Sequence, residues 1–158
     1  MTSIREATRA DAAALARLRF EFRASQAKVV ESEAHFVERC AHWLAAELAG
    51  EDGWRCWVLV GADTIVGHVW LNVIRKIPNP IEEPEHHAYI SNFYVRQEYR
   101  ARGGGTRLLE AALDWCRGHD IDSVFLWPTT ASRSLYLRHG FSAPERLLEY
   151  PLGTTSAS

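Results

Sequence analysis

The chain has 158 residues, 47% of them hydrophobic and 24% charged, with a formal net charge of -2. That size is enough for one domain with a real core, and the balance excludes a disordered or fibrous chain and a general nucleic-acid binder. The opening Met-Thr-Ser-Ile-Arg-Glu lacks an apolar signal region and no stretch approaches the ~18 apolar residues of a membrane span, so a cytoplasmic protein without membrane contact is expected.

In chain order, Ile4 to Ala7 reads as a first strand. Thr8, with Asp11 three residues on, resembles a capping box before an Ala/Leu/Arg helix that ends near Phe22 to Ala24. Ser32 can cap a second helix, in which Phe36, Val37, Cys40, Trp43, Leu44 and Leu48 share a face before Gly50 stops it. Glu51-Asp52-Gly53 is turn chemistry, and Trp54 to Val60 and Thr64 to Ile74 form a hairpin around Gly61-Ala62-Asp63. Pro78, Pro80 and Pro84 make 76–85 a loop with an acidic end, after which His87 to Val95 is a strand.

The next stretch runs from that strand through Gly103, Gly104 and Gly105 into a helix carrying Leu108, Leu109, Ala112, Leu113 and Cys116 at helical spacing. Ser123 to Trp127 reads as a strand ended by Pro128, Ser132 to His139 as a short helix closed by Gly140, and Leu147 to Leu152 as a last strand before a loose tail. The order β-α-α-β-β-β-α-β-α-β, with no linker or repeat, predicts one domain over residues 1–158, ordered from about 4 to 152, with a mixed sheet and helices on both faces.

The glycine turn is the chemical feature. Three glycines let backbone approach a ligand, and a helix N-terminus offers unpaired N–H groups and a positive dipole end. Arg96, Arg100, Arg102 and Arg107 surround it with only Glu98 against them, so the expected partner is an anion. A P-loop is excluded because no Gly-Lys-Ser or Gly-Lys-Thr follows, and a dinucleotide fingerprint because the glycines are consecutive and the next strand ends in Trp127-Pro128. An ordinary strand-to-helix loop with solvated arginines is the competing reading.

Arg100 to Gly105 matches Arg/Gln-x-x-Gly-x-Gly/Ala, and Tyr136 to Phe141 matches Tyr-x-x-x-Gly-Phe; together with the opening Ile4 to Asp11, these resemble the GNAT N-acetyltransferases. The resemblance covers about Ile4 to Leu152 and implies an α/β (α+β) fold, a mostly antiparallel central sheet flanked by helices, with a splayed strand pair holding acyl-CoA. It implies acetyl-CoA as co-substrate and no metal, with pantetheine along Phe93, Tyr94 and Val95 and pyrophosphate on Arg100, Arg102, Gly103, Gly104, Gly105 and Thr106. Gly104 departs from the pattern, since many relatives carry an apolar residue there, and a looser empty cradle is expected.

The implied chemistry is direct attack of a small-molecule or protein primary amine on the thioester, with Tyr136 as general acid toward the CoA thiolate. Glu85 and His87, beside Glu83 and His86, are candidates for the base, and the acidic loop is equally a guide for a cationic acceptor. Phe22, Phe36 and Trp43, with Glu83, are candidates for the acceptor site, core packing being the alternative for the aromatics. A non-catalytic acyl-CoA-binding module is the second functional reading. Cys116-x-x-His119 has no second pair to make a metal site, and Cys40, Cys56 and Cys116 are expected to be free thiols. Family members often pair, which makes a homodimer in keeping with the resemblance.

Overall fold

A computed structural model describes residues 1–51 and 53–153, so that Asp52 of the expected turn and the tail beyond Gly153 lie outside the described residues. The described chain forms two compact units, residues 1–126 and 127 onward.

The first unit is built on five strands, β1 (Thr2–Glu6), β2 (Trp54–Gly61), β3 (Thr64–Arg75), β4 (His86–Val95) and β5 (Ile121–Phe125), each paired with the next along the chain. The first three pairings are antiparallel and β4–β5 is parallel. Parallel neighbours need a crossover, supplied here by helix α3 (Gly104–Arg117). Helices α1 (Ala12–Ala24) and α2 (Glu33–Glu47) lie between β1 and β2 in sequence. This is the mixed, mostly antiparallel sheet flanked by helices that the sequence predicts.

Local chemistry sets the boundaries. The Thr8–Asp11 capping box forms, with the Thr8 N–H donating to Asp11 Oδ2 at 2.8 Å, and Arg5 holds the same carboxylate through bonds of 2.8 and 2.9 Å. Ser32 accepts from the His35 N–H to start α2. The β2–β3 turn places both Ala62 (φ 47°) and Asp63 (φ 61°) in the left-handed region, as a two-residue hairpin turn requires. The core between the sheet and α1/α2 joins Leu15, Ala16 and Leu44 to Cys56, Val58 and Trp70.

In the second unit, helix α4 (Arg133–Arg138) is followed by no strand among the described residues. The expected strand over Leu147 to Leu152 is therefore corrected. Leu148, Tyr150 and Leu152 are exposed, and Pro151 within that span removes an N–H that a ladder would need.

The Arg5 guanidinium beside Asp11 holds its carboxyl below the usual carboxylate value, so the stabilisation is present above about pH 3.9 and is lost as pH falls through the folded value. Asp11→Ala should lower stability by about 1 kcal/mol at pH 7, discounted for partial exposure, and the difference from wild type should shrink below about pH 4. Denaturant titrations across pH would read this, and a pH-independent difference would contradict it.

Candidate acyl-donor and acceptor site

The site begins where β4 loses a neighbour. Its register with β5 runs only from His86↔Ile121 to Tyr89↔Phe125, so from Ile90 to Val95 no described strand bonds that edge. On the other edge β3 continues to Gly67↔Val95, interrupted by a bulge at which Asn92 has φ 51°. The freed edge exposes backbone N–H and C=O groups that an extended ligand can pair.

The chain then turns through Gln97–Tyr99 and Ala101 (φ 57°) to Gly103 (φ 77°), which caps α3 without a side chain. Only a residue without Cβ takes this conformation at no steric cost. The first-turn N–H groups of α3 have no intrahelical acceptor, and a helix start offers such groups to an anion. Nothing lies within 4 Å of where a Cβ on Gly103 would stand, and at Gly105 such an atom would meet only Phe93, at 3.5 Å. The cradle is open at both positions, which suits a phosphate.

The four arginines divide. Arg96 is clamped to Glu21 of α1 by bonds of 3.0 and 2.6 Å, and Arg107 donates to Thr2. These two are therefore neutralised or tied to β1, contrary to the expectation that only Glu98 opposes the cluster. Arg100 donates to the Val95 carbonyl at 2.7 Å and lies over the Tyr94 ring, while Arg102 is exposed. Arg100 and Arg102 are the ones left beside the turn.

Gly104 is buried against Leu59, whose Cδ2 would be 2.6 Å from an added Cβ. The space that an apolar side chain would fill is already occupied by Leu59, so the expected loosening of the cradle has no void behind it. This is a packing exchange that sequence spacing does not show.

The acceptor candidates are partly brought together. Phe22 stacks on Tyr94 with centroids 5.2 Å apart, joining the end of α1 to the end of β4. Trp43 is 47% exposed and meets Trp54, which continues to Trp70 and Tyr89, and Tyr89 stacks on Phe125. Phe36 packs instead on Phe20, with the Arg39 guanidinium over its ring. The acidic loop is internally bonded: Lys76 bridges Glu83 and Asp122, and Glu85 accepts from the Asn79 N–H. His87 lies in the part of β4 still paired with β5, its Nδ1 3.0 Å from Ser123 Oγ.

Sequence reasoning missed Arg19 and His68. Arg19 NH1 donates to Asn92 Oδ1 at 2.9 Å, and His68 is fully buried on β3. Burial pushes the His68 imidazole down to about 4, with the Arg19 charge acting the same way. The Asn92 backbone favours protonation, yet neither ring nitrogen reaches a partner with hydrogen-bond geometry. A polar residue in an otherwise apolar strand, Val66 to Leu71, was the available signal.

In the second unit, the Tyr-x-x-x-Gly-Phe match has a structural basis. Gly140 (φ 87°) ends α4, its N–H donating to Leu137 O and the Phe141 N–H to Tyr136 O, as in a Schellman cap. The Tyr136 and Phe141 rings meet at 5.5 Å, the apolar contact that accompanies such a cap. Tyr136 is buried, and burial pushes its phenol up to about 12 despite a bond to Ser132. It is therefore a protonated donor throughout the physiological range. Cys116 is buried in α3, its thiol pushed up to about 11, and His119 stacks on Trp115.

The family model described as acetyltransferase (GNAT) family matches residues 15–141. A predicted acetyltransferase with acetyl-CoA from Clostridium acetobutylicum has a TM-score of 0.78 at 20% identity, over 96% of this chain and 97% of that one. A GCN5-related N-acetyltransferase from Ralstonia eutropha has 0.75 at 23%, over 97% and 100%. A glucosamine-6-phosphate N-acetyltransferase from Arabidopsis thaliana has 0.69 at 14%, over 97% and 99%. Curated proteins give no significant match. Among the described residues, no helix is long and apolar enough to cross a membrane.

Gly104→Val should force fully buried Leu59 to move and destabilise the protein by about 1–3 kcal/mol. Combining it with Leu59→Ala should recover part of that loss relative to additivity, measurable as a coupling energy in thermal or denaturant unfolding. Strict additivity would sink the packing account.

Proposed function

As the chain belongs to the GNAT acetyltransferase family, we propose that it transfers an acetyl group from acetyl-CoA to a primary amine by direct attack within a ternary complex. The observation that carries this is the continuity of the freed β4 edge, Ile90 to Val95, with the open glycine turn at the start of α3. An edge with unpaired backbone groups fits the amide-rich pantetheine arm, and a helix N-terminus with open glycines fits pyrophosphate. The family model runs from residue 15 to 141, and this supports reading the whole chain as one functional domain.

In this reading, Phe93, Tyr94 and Val95 line the arm. Gly103, Gly104, Gly105 and Thr106 present their N–H groups to pyrophosphate, and Arg100 and Arg102 add charge. The acceptor nitrogen attacks the carbonyl carbon, the C–S bond breaks, and the thiolate takes a proton from the Tyr136 hydroxyl while the new ammonium gives one up. A phenol kept protonated up to about pH 12 is always loaded for that step. Positioning two substrates together supplies much of the rate. His87, whose ring already has Ser123 as a partner, and Glu85 are the proposed routes for the proton leaving the amine. Phe22 of α1 and Trp43 of α2, with Phe36 of α2 and Glu83 of the 76–85 loop, line the acceptor side. The Arabidopsis neighbour, a glucosamine-6-phosphate N-acetyltransferase, supports an amine as acceptor class.

Two variants test this. Gly105→Ala fits beside Phe93 and should leave CoA binding within a few-fold of wild type, whereas Gly105→Glu, with a carboxylate in the cradle, should abolish it in calorimetry while the protein stays folded. Tyr136→Phe should lower kcat by on the order of 100-fold with little change in acetyl-CoA affinity. Retained CoA affinity in Gly105→Glu contradicts the cradle. An unchanged kcat in Tyr136→Phe, with chemistry rate-limiting, removes Tyr136 from its role.

A further inference from the structure

Three arginines of the described chain are half-buried: Arg19, Arg55 and Arg96. Arg55 pairs with Glu6 and Arg96 with Glu21. Among the described residues Arg19 has no carboxylate, and its bond to Asn92 Oδ1 uses one of the five N–H donors of a guanidinium. Removing a cation from water without a counter-ion is unfavourable, and here the neighbours make it worse. Burial is the largest influence opposing its charge, and Arg23, one turn further along α1, repels it. The groups that favour the charge are the weakly acidic Cys40 thiol and the Tyr89 hydroxyl, which itself donates to Ser91 Oγ.

Its place is informative. Asn92 is the left-handed bulge residue of β4, within the Ile90 to Val95 stretch whose other edge is free. His68 of β3, fully buried, feels both the Arg19 charge and the Asn92 backbone, and neither of its ring nitrogens has a partner at hydrogen-bond geometry. A half-buried cation without a counter-ion and a buried imidazole that feels its charge form a polar centre that the protein itself leaves incomplete. Of the loop carboxylates, Glu83 is engaged by Lys76 and Asn79, and Glu85 by Asn79.

We propose that Arg19 recognises an oxyanion of the acceptor, so that the substrate is an amine bearing a carboxylate or a phosphate. This rests on the transferase reading above and specifies its acceptor class. Asn92 fixes the guanidinium so that its remaining donors face the ligand as a preorganised fork, which matches either oxyanion. The anion completes the charge balance that α1 lacks.

The test uses the full chain and matched amines: several amino acids, each beside its amide, and several amino-alcohol phosphates, each beside the free alcohol. Thiol release with acetyl-CoA gives kcat/KM for every member. One anionic series should exceed its neutral twins by on the order of 10- to 100-fold, the span of a charge-assisted bond, and which series does so identifies carboxylate or phosphate. Arg19→Gln should bring that ratio to about one by lowering the anionic members, while any loss from releasing Asn92 falls equally on both members of each pair. Arg19→Lys should cut it several-fold by losing the fork, and serves alone if the Gln variant does not fold. Neutral twins preferred throughout, or a ratio that both variants keep, overturns the proposal. Calorimetry of the same pairs with CoA present separates the two readings. Anion binding that Arg19→Gln loses, without any turnover, supports the anion site and removes the transferase; absence of anion binding as well overturns both.

Discussion

Strand β4 keeps β3 to its end at Val95, but β5 leaves it after Tyr89, and the backbone groups of Ile90 to Val95 on that edge need other partners. Buried peptide groups do not stay unpaired without large cost, so the departure of β5 is a commitment to a ligand or to water. The rest of the site follows from it. The Glu21–Arg96 clamp fixes α1 to the end of β4, Arg19 holds the bulge residue Asn92, and the Phe22–Tyr94 stack closes the same junction. Three contacts from one helix thus hold the strand that has lost its neighbour.

What the sequence disclosed was local. The Thr8–Asp11 box, the Ser32 cap and the glycines at 103–105 are signals spread over a few residues, and each formed where spacing placed it. The Tyr136 to Phe141 motif was legible for the same reason, being a helix end with its own cap and ring contact. What it hid was paired at a distance. Nothing near Arg96 says that Glu21, 75 positions earlier, neutralises it, and nothing near Gly104 says that Leu59 fills its space. The last strand misled because the alternation of Leu148, Tyr150 and Leu152 resembles a half-buried strand whether or not a neighbour exists, and only the absent partner and Pro151 decide against it.

Charge shows the same division. A net of -2 describes a surface on which cations and anions mostly answer one another, as Arg5 does Asp11 and Arg55 does Glu6. Such pairs at the edge of solvent contribute little stability individually. Composition cannot show which cation is left over, because that depends on which side chains the fold removes from water. Arg19 is half-buried and unanswered, and its meaning comes from that combination rather than from its charge.

The two halves of the proposed site are made of different material. The glycine turn is one contiguous stretch, and what it offers a ligand is peptide N–H groups, which almost any change of neighbouring side chain leaves in place. The other half is drawn from side chains on α1, α2 and β4, separated by tens of residues and each replaceable by a single codon change. Donor recognition is thereby insulated from drift, while acceptor recognition is exposed to it. A chain of this design can exchange one acceptor for another without rebuilding the scaffold, and folds at 14–23% identity to it can share its architecture while differing in those side chains.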